Sequence, residues 1–151
     1  MHITVRAATY EDLDWLCGQL KEFARTYSTE HCLYGSEETV RGRLRFFIDG
    51  HVLLIAEREG FGPVGLIGGV VTPHLFNPDI RLLAEMFWWV DEAHRGTRAG
   101  LMLLNAFTDW GKTHADWITF SLETHSPVKV ETLVKRGFKV KETGFLYEVL
   151  P

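Results

Sequence analysis

At 151 residues, with 46% hydrophobic and 13% aromatic positions, the chain is long enough for one domain spanning residues 1–151, because a domain of this size buries about 70% of the surface its unfolded chain exposes. The formal net charge of -4, from 16 basic and 20 acidic residues, provides no general field for DNA, RNA or an anionic membrane and mildly favours a cationic partner. No apolar stretch approaches the roughly 20 residues of a membrane span, and Ile3 onward enters strand-like alternation without a basic, then apolar, leader. Cys17 and Cys32 fall in different settings, an amphipathic helix and a polar loop. The expectation is a reduced, cytoplasmic protein.

Residues Ile3 to Arg6 predict a short strand, and Thr9 with Asp12 forms a near capping box ahead of Leu13, Leu16, Cys17, Leu20 and Ala24, which share one helical face. After a polar loop from Ser28 to Gly35, Ser36 is a good N-cap for a second helix. Its apolar side is Val40, Leu44, Phe47 and Ile48, and its arginines Arg41, Arg43 and Arg45 read as a solvated surface. His51 to Glu57 and Val64 to Thr72 predict a hairpin across the Gly60 to Pro63 turn, with a bulge at Gly68 and Gly69. Leu82 to Val90 is a long strand rich in aromatics, and His94 to Gly100 bends into a helix reaching about Lys112, buried along Leu103, Leu104, Phe107 and Gly111. Trp117 to Leu122 predicts a strand, Pro127 the first turn of a helix holding Val130, Leu133 and Val134, and Gly137 its left-handed stop. Phe138 to Val140 and Phe145 to Val149 complete the list as two strands. The whole predicts an α/β fold, a mixed sheet with helices on both faces.

The segment Arg95-Gly96-Thr97-Arg98-Ala99-Gly100, where a strand enters a helix, carries the chemistry. Such a turn leaves backbone N–H groups pointing outward at the positive end of a helix, an arrangement that suits phosphate. His94, Arg95 and Arg98 put cations in that first turn, against the helix dipole, which makes sense when an anion sits among them. The bland alternative is a glycine-assisted turn with exposed arginines.

On these residues the chain resembles the GNAT N-acetyltransferase superfamily, whose motif at this junction is Arg or Gln, any, any, Gly, any, Gly or Ala. Arg95 and Gly100 fill the outer positions, while Arg98 stands where the inner glycine is expected. The order of elements agrees along almost the whole chain, and Leu133-Val-Lys-Arg-Gly-Phe138 is similar to the family's Leu-Tyr-Glu-Lys-Leu-Gly-Phe ending. The resemblance implies a mostly antiparallel mixed sheet of about six to seven strands, acetyl-coenzyme A as co-substrate without a metal, and an amine of a small molecule or protein as acceptor. It also implies that the fourth and fifth strands splay, so that backbone groups of Trp88, Trp89 and Val90 pair with the pantetheine arm, and that Arg95, Gly96, Thr97, Arg98, Ala99 and Gly100 hold the pyrophosphate.

Glu85 is the carboxylate within an otherwise apolar strand and the first choice of general base, sharing side-chain parity with Phe87 and Trp89. Its plain structural alternative is a strand-end carboxylate paired with Arg81. The family's usual tyrosine falls at Leu133 and a frequent asparagine at Ser126, so the acid for the departing thiolate is unassigned, with Tyr147 and Tyr34 as stand-ins. Neither a His-Glu-x-x-His segment nor a Cys-x-x-Cys pair occurs, the histidines take structural or surface roles, and no Gly-x-Ser-x-Gly elbow exists. His125 is placed to face the acceptor cleft. Acceptor choice falls to the Ser28 to Gly35 loop, the second helix, the Pro73 to Ile80 loop and a hairpin around Lys141 to Gly144. Two other classes compete with an enzyme: an inactive coenzyme-A-binding module and a protein-interaction scaffold. A homodimer through sheet edges is compatible with all three.

Overall fold

The computed structural model describes residues 2–27 and 34–149, which fall into two compact units, Met1–Ser121 and Leu122–Pro151. In the first unit five strands, β1 (Ile3–Ala7), β2 (Val52–Arg58), β3 (Gly62–Pro73), β4 (Arg81–Val90) and β5 (Trp117–Thr119), lie side by side in sequence order. The first three pairings are antiparallel, and β4 with β5 is parallel. A parallel neighbour needs a crossover, which here is α3 (Ala99–His114); α1 (Leu13–Tyr27) and α2 (Glu37–Gly50) connect β1 to β2.

The helix starts form where short polar side chains satisfy free backbone donors. The Thr9 N–H donates to the Asp12 carboxylate at 2.8 Å, opening a 3-10 turn at Tyr10–Asp12 that runs into α1. The Ser36 hydroxyl accepts from the Thr39 N–H at 3.1 Å at the head of α2. Leu16 and Cys17 of α1 and Leu44 and Phe47 of α2 then pack with Leu53, Ile55, Leu66 and Trp89 on one face of the sheet. On the opposite face, Leu103 and Phe107 of α3 meet Ile3, Leu54, Ala56, Ile67 and Leu83. Successive β2 residues therefore serve opposite cores, which is why this strand is a continuous apolar run. Full burial of each Leu or Phe contributes roughly 1.5–3 kcal/mol. Arg41 departs from the solvated surface expected for α2: it is half-buried and pairs with Asp14 of α1.

The bulge expected at Gly68 and Gly69 is present, and its extra residue belongs to β4. Gly68 pairs with Phe87 and Gly69 with Glu85, leaving Met86 between them without a partner. Both glycines are needed for close approach: a Cβ at Gly68 would lie 2.3 Å from the Phe87 ring, and one at Gly69 would lie 2.6 Å from Phe107 and 2.9 Å from the Ala84 carbonyl.

The sheet has five strands among the described residues, against the six to seven expected. β5 stops at Thr119 instead of reaching Leu122, and Phe138 to Val140 and Phe145 to Val149 carry no strand. Alternating side chains propose a strand, but only a hydrogen-bonded neighbour makes one. In the second unit α4 (Val130–Val134) is shorter than expected, with Pro127 in a bend before it. It ends as the sequence indicates: Gly137 has φ +94°, its N–H donates to Val134, and the Phe138 N–H returns to Leu133.

Candidate active site

β4 is covered by β5 over Leu82–Ala84 only, opposite Trp117–Thr119. The junction is clamped at its start, where the Asp116 carboxylate accepts from the Arg81 N–H at 2.8 Å and the Asp116 N–H donates to the Arg81 carbonyl at 2.9 Å. Beyond Ala84 the outer edge of β4 has no strand beside it among the described residues. The Asp91 N–H donates to Val64 of β3 at 2.8 Å, so the carbonyl of the same trans peptide, that of Val90, faces the open side. Strand alternation then puts the backbone groups of Trp88 and Val90 on the open edge and those of Trp89 on β3. The two tryptophan side chains separate as adjacent residues must. Trp88 meets Phe120 edge-on at 5.8 Å, while buried Trp89 stands against Phe23 at 5.8 Å and donates from Nε1 to Gln19 at 2.8 Å. Gln19, exposed in sequence as one polar residue of α1, gave no signal of this contact.

The turn after β4 differs from the sequence expectation in where its helix begins. α3 starts at Ala99, with Arg98 at the N-cap, so His94 and Arg95 precede the first turn. A 3-10 turn occupies Glu92–His94, and Gly96 follows with φ +86°, the left-handed conformation that favours glycine. Arg98 adopts φ -78° and ψ -1°, which an L-residue tolerates, so its replacement of the inner glycine leaves the backbone unstrained. The Thr97 hydroxyl donates to the His94 carbonyl at 2.7 Å and accepts from the Ala99 N–H at 3.3 Å. The N–H groups of Arg98, Gly100 and Leu101 have no protein partner among the described residues, the donor set that an anion satisfies. Beside them Arg98 and Thr97 line a cavity of about 470 Å³ with His2, Ile3, Arg58 and Met102. Arg95 instead turns back to β4: its Nε donates to the Val90 carbonyl at 3.1 Å, and its guanidinium lies 4.4 Å from the Trp89 ring centroid.

His94, expected as a cation at the helix start, is 4% exposed. Its ring lies 4.3 Å from that of Phe61, and Asp91 approaches its Nδ1 at 3.6 Å.

The bulge corrects the parity expected of Glu85. Because Met86 is the unpaired residue, Glu85 lies on the α3 face with Leu83, whereas Phe87 and Trp89 lie on the α1 and α2 face. Glu85 is half-buried and accepts from the Ser121 N–H at 3.4 Å, across the gap where β4 and the chain beyond β5 diverge. Tyr34 is on the other side of the sheet, beside Cys17 of α1, and burial pushes its phenol up to about 12. It is not brought to Glu85. Tyr147 and His125 belong to the second unit. The expected hairpin around Lys141 to Gly144 carries no strand, and positions 28–33 of the expected acceptor loop, with His31 and Cys32, lie outside the described residues. Among the described residues no group of three or more His, Cys, Asp or Glu could hold a metal ion, and no helix is long and apolar enough to cross a membrane.

The fold has counterparts among solved structures. No curated protein matches the chain. Among solved structures, a transcriptional regulator from Bacillus halodurans C-125 is 20% identical with a TM-score of 0.77, covering 97% of this chain and 99% of that one. An acetyl transferase assigned as putative, from Pyrococcus furiosus, is 18% identical with a TM-score of 0.76 over 98% and 100%. A protein from Clostridium acetobutylicum described as a predicted acetyltransferase, solved with acetyl-CoA, is 14% identical with a TM-score of 0.75 over 98% and 97%. At these identities the likeness is one of fold. The model of the Acetyltransferase (GNAT) family matches residues 13–138, and the chain therefore belongs to the GNAT acetyltransferase family.

Proposed function

We propose that the protein transfers an acetyl group from acetyl-coenzyme A to a primary amine by direct attack in a ternary complex. The observation that carries this reading is the open edge of β4, which runs from Glu85 to Val90 straight into a turn with unpaired amides at the head of α3. Pantetheine carries amide groups that pair with an exposed strand edge, and a pyrophosphate meets the amide and cation requirement of the turn. Arg98, Gly96 and Gly100 form the phosphate end of this site, and Arg95 braces it against Val90.

The amine loses its proton to Glu85, its nitrogen forms the new bond to the thioester carbonyl carbon, and the carbon–sulfur bond breaks to release coenzyme A thiolate, which water protonates. A backbone N–H on the open edge, from Trp88 or Val90, polarises the carbonyl as charge develops on its oxygen. Holding amine and thioester together supplies a large part of the rate. The acceptor is an amine of a small molecule or protein, and the acidic balance of the chain suits a cationic one.

Isothermal titration of the purified protein with acetyl-coenzyme A tests the reading. Micromolar binding that weakens in Arg98→Ala supports it and justifies screening polyamines, aminoglycosides, amino acids and peptides as acceptors. Absence of binding by the folded protein would overturn it.

A further inference from the structure

His94 is buried to all but 4% of its surface, yet its Nδ1 meets no hydrogen-bond partner. A buried polar atom in this condition is destabilising, and an aliphatic side chain of similar size would fill the space without that cost. Oδ2 of Asp91 stands 3.6 Å from it, about 0.7 Å beyond an ordinary N–H···O bond.

The backbone around this pair leads to the free amides. The His94 N–H donates to the Asp91 carbonyl at 2.8 Å, the His94 carbonyl accepts the Thr97 hydroxyl at 2.7 Å, and that hydroxyl accepts the Ala99 N–H at 3.3 Å. Phe61, from the turn between β2 and β3, lies over the imidazole with ring centroids 4.3 Å apart. One residue thus joins the end of β4, the neighbouring turn and the first turn of α3. Asp91 itself is a partly exposed carboxylate close to a site for an anion, where an unpaired negative charge works against binding.

We infer that His94 is a positioning residue for the phosphate-binding turn, its Nδ1–H closing onto the Asp91 carboxylate when coenzyme A is bound, so that the turn is held and the carboxylate is drawn away from the phosphates. The inference rests on the acetyl-coenzyme A reading of this site.

The test is titration of coenzyme A into the wild type, His94→Leu and His94→Asn, with thermal melting of each. Leucine packs without a polar atom, so His94→Leu is expected to melt no lower than wild type while its Kd for coenzyme A rises about tenfold. The asparagine amide reaches the position of Nδ1, and His94→Asn is expected to return to within about threefold of wild type. His94→Gln reaches the Nε2 position instead; it is expected to show the same loss as leucine, and it stands in for leucine should that variant not fold. Wild-type affinity in both His94→Leu and His94→Gln, or equal loss in His94→Asn and His94→Gln, overturns the inference. Absence of coenzyme A binding by the wild type itself overturns the functional reading beneath it, a distinct result.

Discussion

The Arg95 guanidinium lies 4.4 Å from the centroid of the Trp89 ring while its Nε donates to the carbonyl of Val90, the next residue along the strand. A cation over an indole face contributes about 0.5–1 kcal/mol at an exposed position. Arg95→Ala is expected to lower the melting temperature by about 2–4 °C and to weaken acetyl-coenzyme A binding. Arg95→Lys keeps the charge without the Nε–H directed at Val90, so it is expected to stay nearer to alanine than to wild type. Calorimetric melting and titration of the three proteins check both effects.

Glu85 sits at the mouth of the gap beside β5, half-buried and in contact with the Ser121 N–H. With an accepted amine in hand, Glu85→Gln is expected to reduce kcat about 100-fold at neutral pH with the affinity for acetyl-coenzyme A unchanged. Undiminished turnover at saturating acceptor would remove Glu85 from the mechanism.

Gly69 and Gly100 make a matched pair of probes. Gly69→Ala drives a methyl into Phe107 at 2.6 Å and the Ala84 carbonyl at 2.9 Å, and is expected to cost about 1–3 kcal/mol. At Gly100 the new Cβ would lie 3.7 Å from Val90, an ordinary contact, and the position is helical. Gly100→Ala is expected to match or exceed wild-type stability by up to about 1 kcal/mol. Thermal unfolding separates the two directly.

Asp12 predicts a pH dependence. Arg6 donates to both its carboxylate oxygens at 2.8 Å, and this holds the Asp12 carboxyl below the usual range despite partial burial. A depressed carboxyl pKa stabilises the fold above the unfolded value near 4, and the contribution is lost as pH falls through the lower folded value. Asp12→Asn is therefore expected to be destabilised by about 1–2 kcal/mol at pH 7, a figure held down by solvent around the partly exposed Arg6. The gap to wild type should close below about pH 4, as read by melting temperature against pH.

Local chemistry was legible wherever neighbours in sequence decide the outcome. Ser36, Thr9 with Asp12, and Gly137 mark helix ends by hydrogen bonds reaching only a few residues, and the buried faces of α1, α2 and α3 follow from a period of 3.6. The Arg95 to Gly100 turn belongs to the same class. The burial of His94 does not, because its cover is Phe61, more than 30 positions earlier in the chain.

By itself, then, the sequence determined the order of elements as far as α4, the two apolar faces of the sheet and the place of the turn that leads into α3, since each depends on periodicity or on contacts within about one helical turn. Only the tertiary structure decided the face on which Glu85 stands and the number of strands. Placing the extra residue at Met86 requires the pairing of Gly68 and Gly69 with β4, and one such slip reverses every side chain beyond it. Strand count likewise depends on hydrogen bonds to a neighbour, as β5 shows in pairing over Trp117–Thr119 and no further.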